Sequence, residues 1–155
     1  MGRLKLLSSF GLLLVGGLLY LLFRPRTLLL FCVADALGAA SVVDGWRAAV
    51  ADWHLPAFAV HNLPGGLWAA SYMLIVDALL AGRPWQARMA AVSVIPLAGA
   101  ASELMQALHL LPGTPDVADA VCYLLPLAIY LSIHQTNINR LWETFSQASK
   151  SPSLS

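Results

Sequence analysis

Long apolar runs, separated by short clusters of Pro, Gly and charge, divide this chain of 155 residues. The first, Leu6 to Phe23, follows Arg3 and Lys5 and is about 18 residues long, roughly 27 Å as a helix, which just crosses a hydrocarbon core. Signal peptides also start basic, but no small-x-small cleavage site precedes Arg24-Pro25-Arg26, so the run reads as a retained anchor. A second run, Leu28 to Val43, is shorter and holds Asp35, which fits a spanning helix, a re-entrant element or a helix packed on the bundle. From Asp44 to Gly66 the mixed pattern reads as an interfacial loop, and Trp46, Trp53 and Trp68 suit an aromatic belt. Pro64-Gly65-Gly66 then predicts a break before a third run, Leu67 to Ala81, which ends at Gly82-Arg83-Pro84. A fourth helix is expected from about Ala87 to Leu111 and a fifth from about Pro115 to Ile133.

Beyond Gln135 the pattern changes. Ile138, Leu141, Trp142 and Phe145 recur at i, i+3, i+4 and i+7, the stripe of an amphipathic helix lying on a membrane surface, followed by a polar end. The organisation is therefore a transmembrane helical domain over 1–135 and a cytoplasmic amphipathic helix with a polar tail over 136–155. The expected fold is all-α, a polytopic membrane bundle of four to five transmembrane helices.

Composition agrees with a bilayer as solvent. Hydrophobic residues make up 59% and charged residues 11%, against roughly 25% charged in a soluble domain. A soluble enzyme and a disordered chain are both disfavoured. The net charge of +1, with basic residues scattered singly or in pairs, excludes a phosphate-neutralising surface and hence nucleic acid as a partner. Cys32 and Cys122 sit in apolar runs without metal or redox spacing. Arg83, Arg88, Arg140 and Lys150 oppose the acidic turn holding Asp116 and Asp119, so the tail is expected in the cytoplasm of a bacterial plasma membrane protein. The same rule ties for the N-terminus: five spans place Arg24 and Arg26 inside, four place Arg3 and Lys5 there. The apolar character of Leu28 to Val43 favours five.

Ionisable groups within spans cost about 2.5–3.5 kcal/mol each, which makes those that remain functional candidates. Glu103 lies nine residues before Pro112, roughly 13 Å along the helix. Gln106 follows on the same face, and Asp116 and Asp119 share a face at the start of the next helix. Two antiparallel neighbours would present all four to one outward-opening pocket. A simpler role exists for part of this set: Thr114-Pro115-Asp116 is also a good helix start, with Thr as N-cap, Pro at the first position and an acid near the positive dipole end. Glu103 would equally serve as a protonated carboxyl hydrogen-bonded between helices.

The stretch Ser102-Glu103-Leu104-Met105-Gln106, followed by Pro112-Gly113-Thr114-Pro115-Asp116-Val117-Ala118-Asp119, resembles the VanZ-like membrane proteins, whose pattern is a Glu-x-x-Gln helix and a turn with Asp-x-x-Asp opening the next helix. Leu63-Pro64-Gly65-Gly66-Leu67-Trp68 is similar to the Pro-Asp-Gly-Leu-Trp turn of some members, so the likeness covers about 63–126. Gly65 stands where some relatives carry Asp, Thr114 where many carry Arg and Tyr123 where many carry Asn. The resemblance implies a multi-helix envelope protein, linked in some members to glycopeptide resistance, with Glu103, Gln106, Asp116 and Asp119 as ligand-binding residues.

Among other groups, Asp77 is expected to pair with Arg83 or Arg88, and Asp35 with Arg24, Arg26 or Arg47. His54 and His61 read as loop residues, and Ser71 and Tyr72 as helix-contact groups. His109 does not stand in HExxH register with Glu103. The leading expectation is a non-enzymatic protein binding a polar or lipid-linked ligand or a glycopeptide, with a divalent cation able to bridge the carboxylates to a phosphate. A membrane-embedded metal-dependent hydrolase or transferase using Glu103 as general base is one alternative. A small proton-coupled carrier titrating Glu103 is the other.

Overall fold

The computed structural model describes residues 2–137, 139, 142 and 143, and all regular structure among them is helical. The elements are α1 (Gly2–Phe23), α2 (Leu29–Ala36), α3 (Ala40–Ala49), α4 (Ala57–His61), α5 (Leu63–Leu79), α6 (Trp85–Ala107) and α7 (Val117–Ile133). By length and composition α1 and α6 can cross a bilayer, while α5 and α7 are shorter apolar helices.

The second apolar run does not form one helix. Gly38 adopts φ +70°, and the backbone bonds Gly38 N to Asp35 O (3.0 Å) and Ala39 N to Ala34 O (2.8 Å) close a Schellman motif that stops α2. The eight residues of α2 rise only about 12 Å, so this segment cannot cross a core of about 30 Å. It folds with α3 against the end of α1 instead. Arg47 donates to the carbonyls of Leu21 (2.7 Å) and Arg24 (2.9 Å), satisfying acceptors that a helix end leaves open. Phe31, fully buried, lies beneath the guanidinium groups of Arg26 and Arg47.

Pro64-Gly65-Gly66 does not break the chain either; it forms the first turn of α5. Proline there gives up only an N–H that had no helical partner. The glycines admit α7: a Cβ on Gly66 would lie 2.8 Å from the backbone oxygen of Cys122, and one on Gly65 would lie 3.1 Å from Tyr123 Oη. α6 ends earlier than expected, at Ala107, because His109 takes the left-handed position (φ +57°) with Leu110 N bonding back to Met105 O at 2.8 Å. The expected amphipathic stripe falls largely outside the described residues: Ile138, Leu141 and Phe145 are among those not described, while Trp142 is exposed.

α5 is the centre of the bundle, with α1, α6 and α7 packed on it. Lys5 meets Asp77, Ser9 meets Ser71 and Gly16 meets Trp68, so α1 and α5 run antiparallel. Gly99 of α6 lies under the ring of Tyr123, and Tyr72 Oη donates to Ala91 O at 2.8 Å. The long helices thus run up and down in turn, and Met73, Val92, Leu127 and Tyr130 form a small core.

The distribution of side chains is inverted relative to a water-soluble protein. On α1 the buried residues are Ser9 and Gly16, while Leu4, Leu7 and Phe10 are 65–71% exposed. On α5 small and polar groups, Gly66, Ala69, Ser71 and Asp77, are buried. Small and polar residues between helices with large apolar ones outside is the packing expected in lipid, where burying Leu yields little and close backbone approach yields much. The inversion supports membrane association.

Candidate functional site

Three polypeptide segments converge at one end of the bundle: the α4–α5 junction, the last turn of α6 and the start of α7. Asn62, 5% exposed, sits at the junction, and its Nδ2 donates to Asp116 Oδ2 (2.7 Å) and to Asp119 Oδ1 (2.9 Å). Asp116 is itself the N-cap of α7, accepting from Ala118 N at 2.8 Å through Oδ1. The cap therefore falls two residues later than Thr114: Asp116 is itself extended (φ −129°, ψ 112°) and the chain turns helical only at Val117. Glu103 Oε2 accepts from the backbone N–H of Asp116 at 2.9 Å. Gln106 lies across the turn from Gly113 (φ +138°), where a Cβ would stand 2.7 Å from Gln106 Oε1 at the end of that side chain.

All four expected residues are brought to this end, with Glu103, Asp116 and Asp119 joined by hydrogen bonds through Asn62 and the Asp116 backbone. Their depth differs from the expectation. Since α6 stops at Ala107, Glu103 lies only about 6 Å from the helix end, at the rim of the bundle rather than well within it. A rim position keeps a carboxylate near water and removes most of the cost of a charge in hydrocarbon. The Asn62 amide, followed by the Ala118 N–H, holds the Asp116 carboxyl below the usual aspartate range. Asp116 spends both oxygens on protein donors, whereas Glu103 Oε1 and Asp119 Oδ2 have no side-chain donor among the described residues. Among the described residues no group of three or more His, Cys, Asp or Glu is disposed to hold a metal ion, so a bridging cation has no preformed cradle here.

Asn62 escaped sequence reasoning, since a lone Asn in a mixed loop carries no spacing signal. Its signal is positional: it directly precedes Leu63-Pro64, where α5 begins.

At the opposite end lies a second polar cluster. Asp77, 1% exposed, receives Lys5 Nζ on Oδ2, and on Oδ1 it receives the Arg88 guanidinium and Tyr130 Oη (2.7 Å). The pairing with Arg88 is the expected one; Lys5 and Tyr130 join from α1 and α7. Trp85, Tyr130 and His134 stack beside it, with centroids 4.3–5.7 Å apart. At the other end Asp35 pairs with Arg26 at 3.1 Å, and Arg26 also holds Asp44 at 3.0 Å; both pairs are exposed and contribute little to stability. His61, expected in a loop, is instead the last residue of α4, where its Nδ1 meets Arg24 at 2.6 Å on the exposed surface, and Ser71 and Tyr72 serve as helix contacts.

No protein-family model, curated protein or solved structure matches this chain.

Proposed function

We propose that the protein is a multi-pass, VanZ-like component of a bacterial cell envelope that binds a polar or lipid-linked ligand at the Glu103/Asn62/Asp116/Asp119 end of the bundle, with Gln106 in the facing turn. In this reading α1, α5, α6 and α7 all cross the membrane; the 17 residues of α5 and α7 are just sufficient. The Lys5 end carries Arg3, Lys5, Arg83 and Arg88 against Asp77, and the Asn62 end carries Arg24, Arg26 and Arg47 against six acids, Asp35, Asp44, Asp52, Glu103, Asp116 and Asp119. Positive charge stays inside. Both ends of the four-helix path are then cytoplasmic, and the acidic site faces outward.

The observation that carries the reading is the clamp of Asn62 on two aspartates beside Glu103, which fixes acceptors from α6 and the start of α7 at one rim of the bundle. Three carboxylates set against the Asn62 and Gln106 amides favour a donor-rich ligand, such as an ammonium group, an amide or a sugar hydroxyl face, over a bare phosphate. The chemistry suits amino-sugar or peptide parts of envelope precursors and of glycopeptides. Glu103 at the rim also fits binding better than proton transport through the membrane.

The test is glycopeptide susceptibility in a matched host at equal membrane abundance of wild type, Glu103→Gln and Asp119→Asn. Wild type is expected to shift susceptibility and both variants to lose the shift; equal protection by all three would refute the site. Orientation is tested by single cysteines in a Cys32→Ala, Cys122→Ala background. An impermeant maleimide should label Ala51→Cys in intact cells and Gly82→Cys only after permeabilisation.

A further inference from the structure

α5 and α7 leave a groove of about 420 Å³ along their shared outer side, which Phe58 of α4 also lines. Leu63, Ala70 and Leu74 of α5 and Leu125, Ile129 and Ile133 of α7 line it. Each helix borders it for about 16 Å, close to half of a hydrocarbon core of about 30 Å, the reach of one leaflet. Such a slot accepts a single flexible hydrocarbon chain. Leu67, which lines the groove, also packs on Gly16 of α1, so α1 forms the neighbouring bank.

The two ends of the groove differ in charge. Tyr130 lines it at the end where its hydroxyl binds Asp77, and there one carboxylate serves two cations, Lys5 and Arg88. One positive charge is left over. Lys5 is 29% exposed and so can take a second anion without leaving Asp77. At the other end stand Asp116 and Asp119, which repel a phosphate. We infer that the groove is a binding site for one acyl chain of an anionic phospholipid from the leaflet at the Lys5 end, with its phosphate against Lys5. Apolar lining sets the chain, and charge complementarity sets the headgroup and the direction. This site depends on the bilayer placement of the bundle and not on the carboxylate site.

The experiment is native mass spectrometry of the full chain released from nanodiscs containing equal amounts of phosphatidylglycerol and phosphatidylcholine with identical chains. Wild type is expected to retain one lipid, with phosphatidylglycerol favoured about five-fold, the effect of one Lys beside an anionic headgroup. Ala70→Phe, which fills the slot, should lose the lipid, and Lys5→Gln should keep a lipid but bind both headgroups equally. Should Ala70→Phe fail to elute as a folded species, phosphatidylglycerol carrying a diazirine on its acyl chain provides the second readout: in wild type its crosslinks should map to the groove faces of α5 and α7. Crosslinks confined to other faces, a wild type that retains no lipid, or equal retention of both headgroups would overturn the assignment. A dimer dissociated by Ala70→Phe would also overturn it, by making a second copy the occupant.

Discussion

Replacing Asp77 by Asn tests the electrostatic reading of the bundle most directly. The side chain is 1% exposed and is the shared acceptor of Lys5, Arg88 and the Tyr130 hydroxyl, so it ties α5 to α1, α6 and α7 at once. The amide keeps the shape but leaves two cations facing each other without a counter-charge. Breaking a buried pair by removing one partner costs roughly 3–5 kcal/mol. Lys5 and Arg88 are 29% and 17% exposed, so they can relax part of the way toward water and the lower figure is the better expectation. At about 2–4 °C per kcal/mol for a chain of this size, the thermal midpoint in detergent should fall by roughly 6–12 °C. Lys5→Gln behaves differently. It leaves Asp77 and Arg88 as a neutral pair, and its cost should stay within about 1 kcal/mol, a shift of roughly 2–4 °C. The assay is fluorescence-detected size-exclusion after heating, run on wild type, both single variants and the double variant. If Asp77→Asn melts within about 2 °C of wild type, or if Lys5→Gln is as damaging as Asp77→Asn, the excess-cation argument fails.

Other consequences follow from local geometry. Gly66→Ala places a Cβ 2.8 Å from the Cys122 carbonyl oxygen and forces α5 and α7 apart, so it should cost about 1–3 kcal/mol in thermal or denaturant unfolding, whereas Gly17→Ala, in open space on α1, should be neutral or stabilising. His109→Gly removes the left-handed strain at φ +57° and should raise stability by up to about 1 kcal/mol; a drop in midpoint would mean that the imidazole makes a contact worth more than the strain. The Asp116 carboxyl is held below its unfolded value by Asn62 and the Ala118 N–H, so its contribution is complete above the unfolded aspartate value and disappears as pH falls through the lowered folded one. Thermal midpoints measured from pH 7 downward should therefore decline below about pH 4 in wild type and decline less in Asp116→Asn; parallel curves would show that the Asn62 clamp does not act on this ionisation.

The apolar periodicity of the sequence located four of the long helices to within a few residues, and the errors have common causes. Gly38 inside an apolar run carried no warning in hydropathy, yet a glycine able to take φ +70° supplied the stop that split the expected second span. Pro64-Gly65-Gly66 has the composition of a turn, but proline is harmless in a first helical turn, and the glycines answer to α7 rather than to their own backbone. His109 ended α6 early without any proline or glycine to announce it. In each case a local preference was set by contacts or backbone bonds that spacing does not encode.

The sequence by itself determined the helical class and pointed toward a membrane: few charges and long apolar runs are properties summed over composition, and they favour helices with apolar outer faces. It also placed Glu103, Gln106, Asp116 and Asp119 at one end, since a tight turn between antiparallel helices leaves no other arrangement. Only the tertiary structure decided what those groups touch. Asn62 reaches Asp116 and Asp119 across 54 and 57 residues, and Lys5 reaches Asp77 across 72. Each of these partnerships requires helices to be laid side by side first. The strength of a buried carboxylate's pairing depends on which charges the packing brings within a few ångströms, and that distance is a property of the assembled bundle alone.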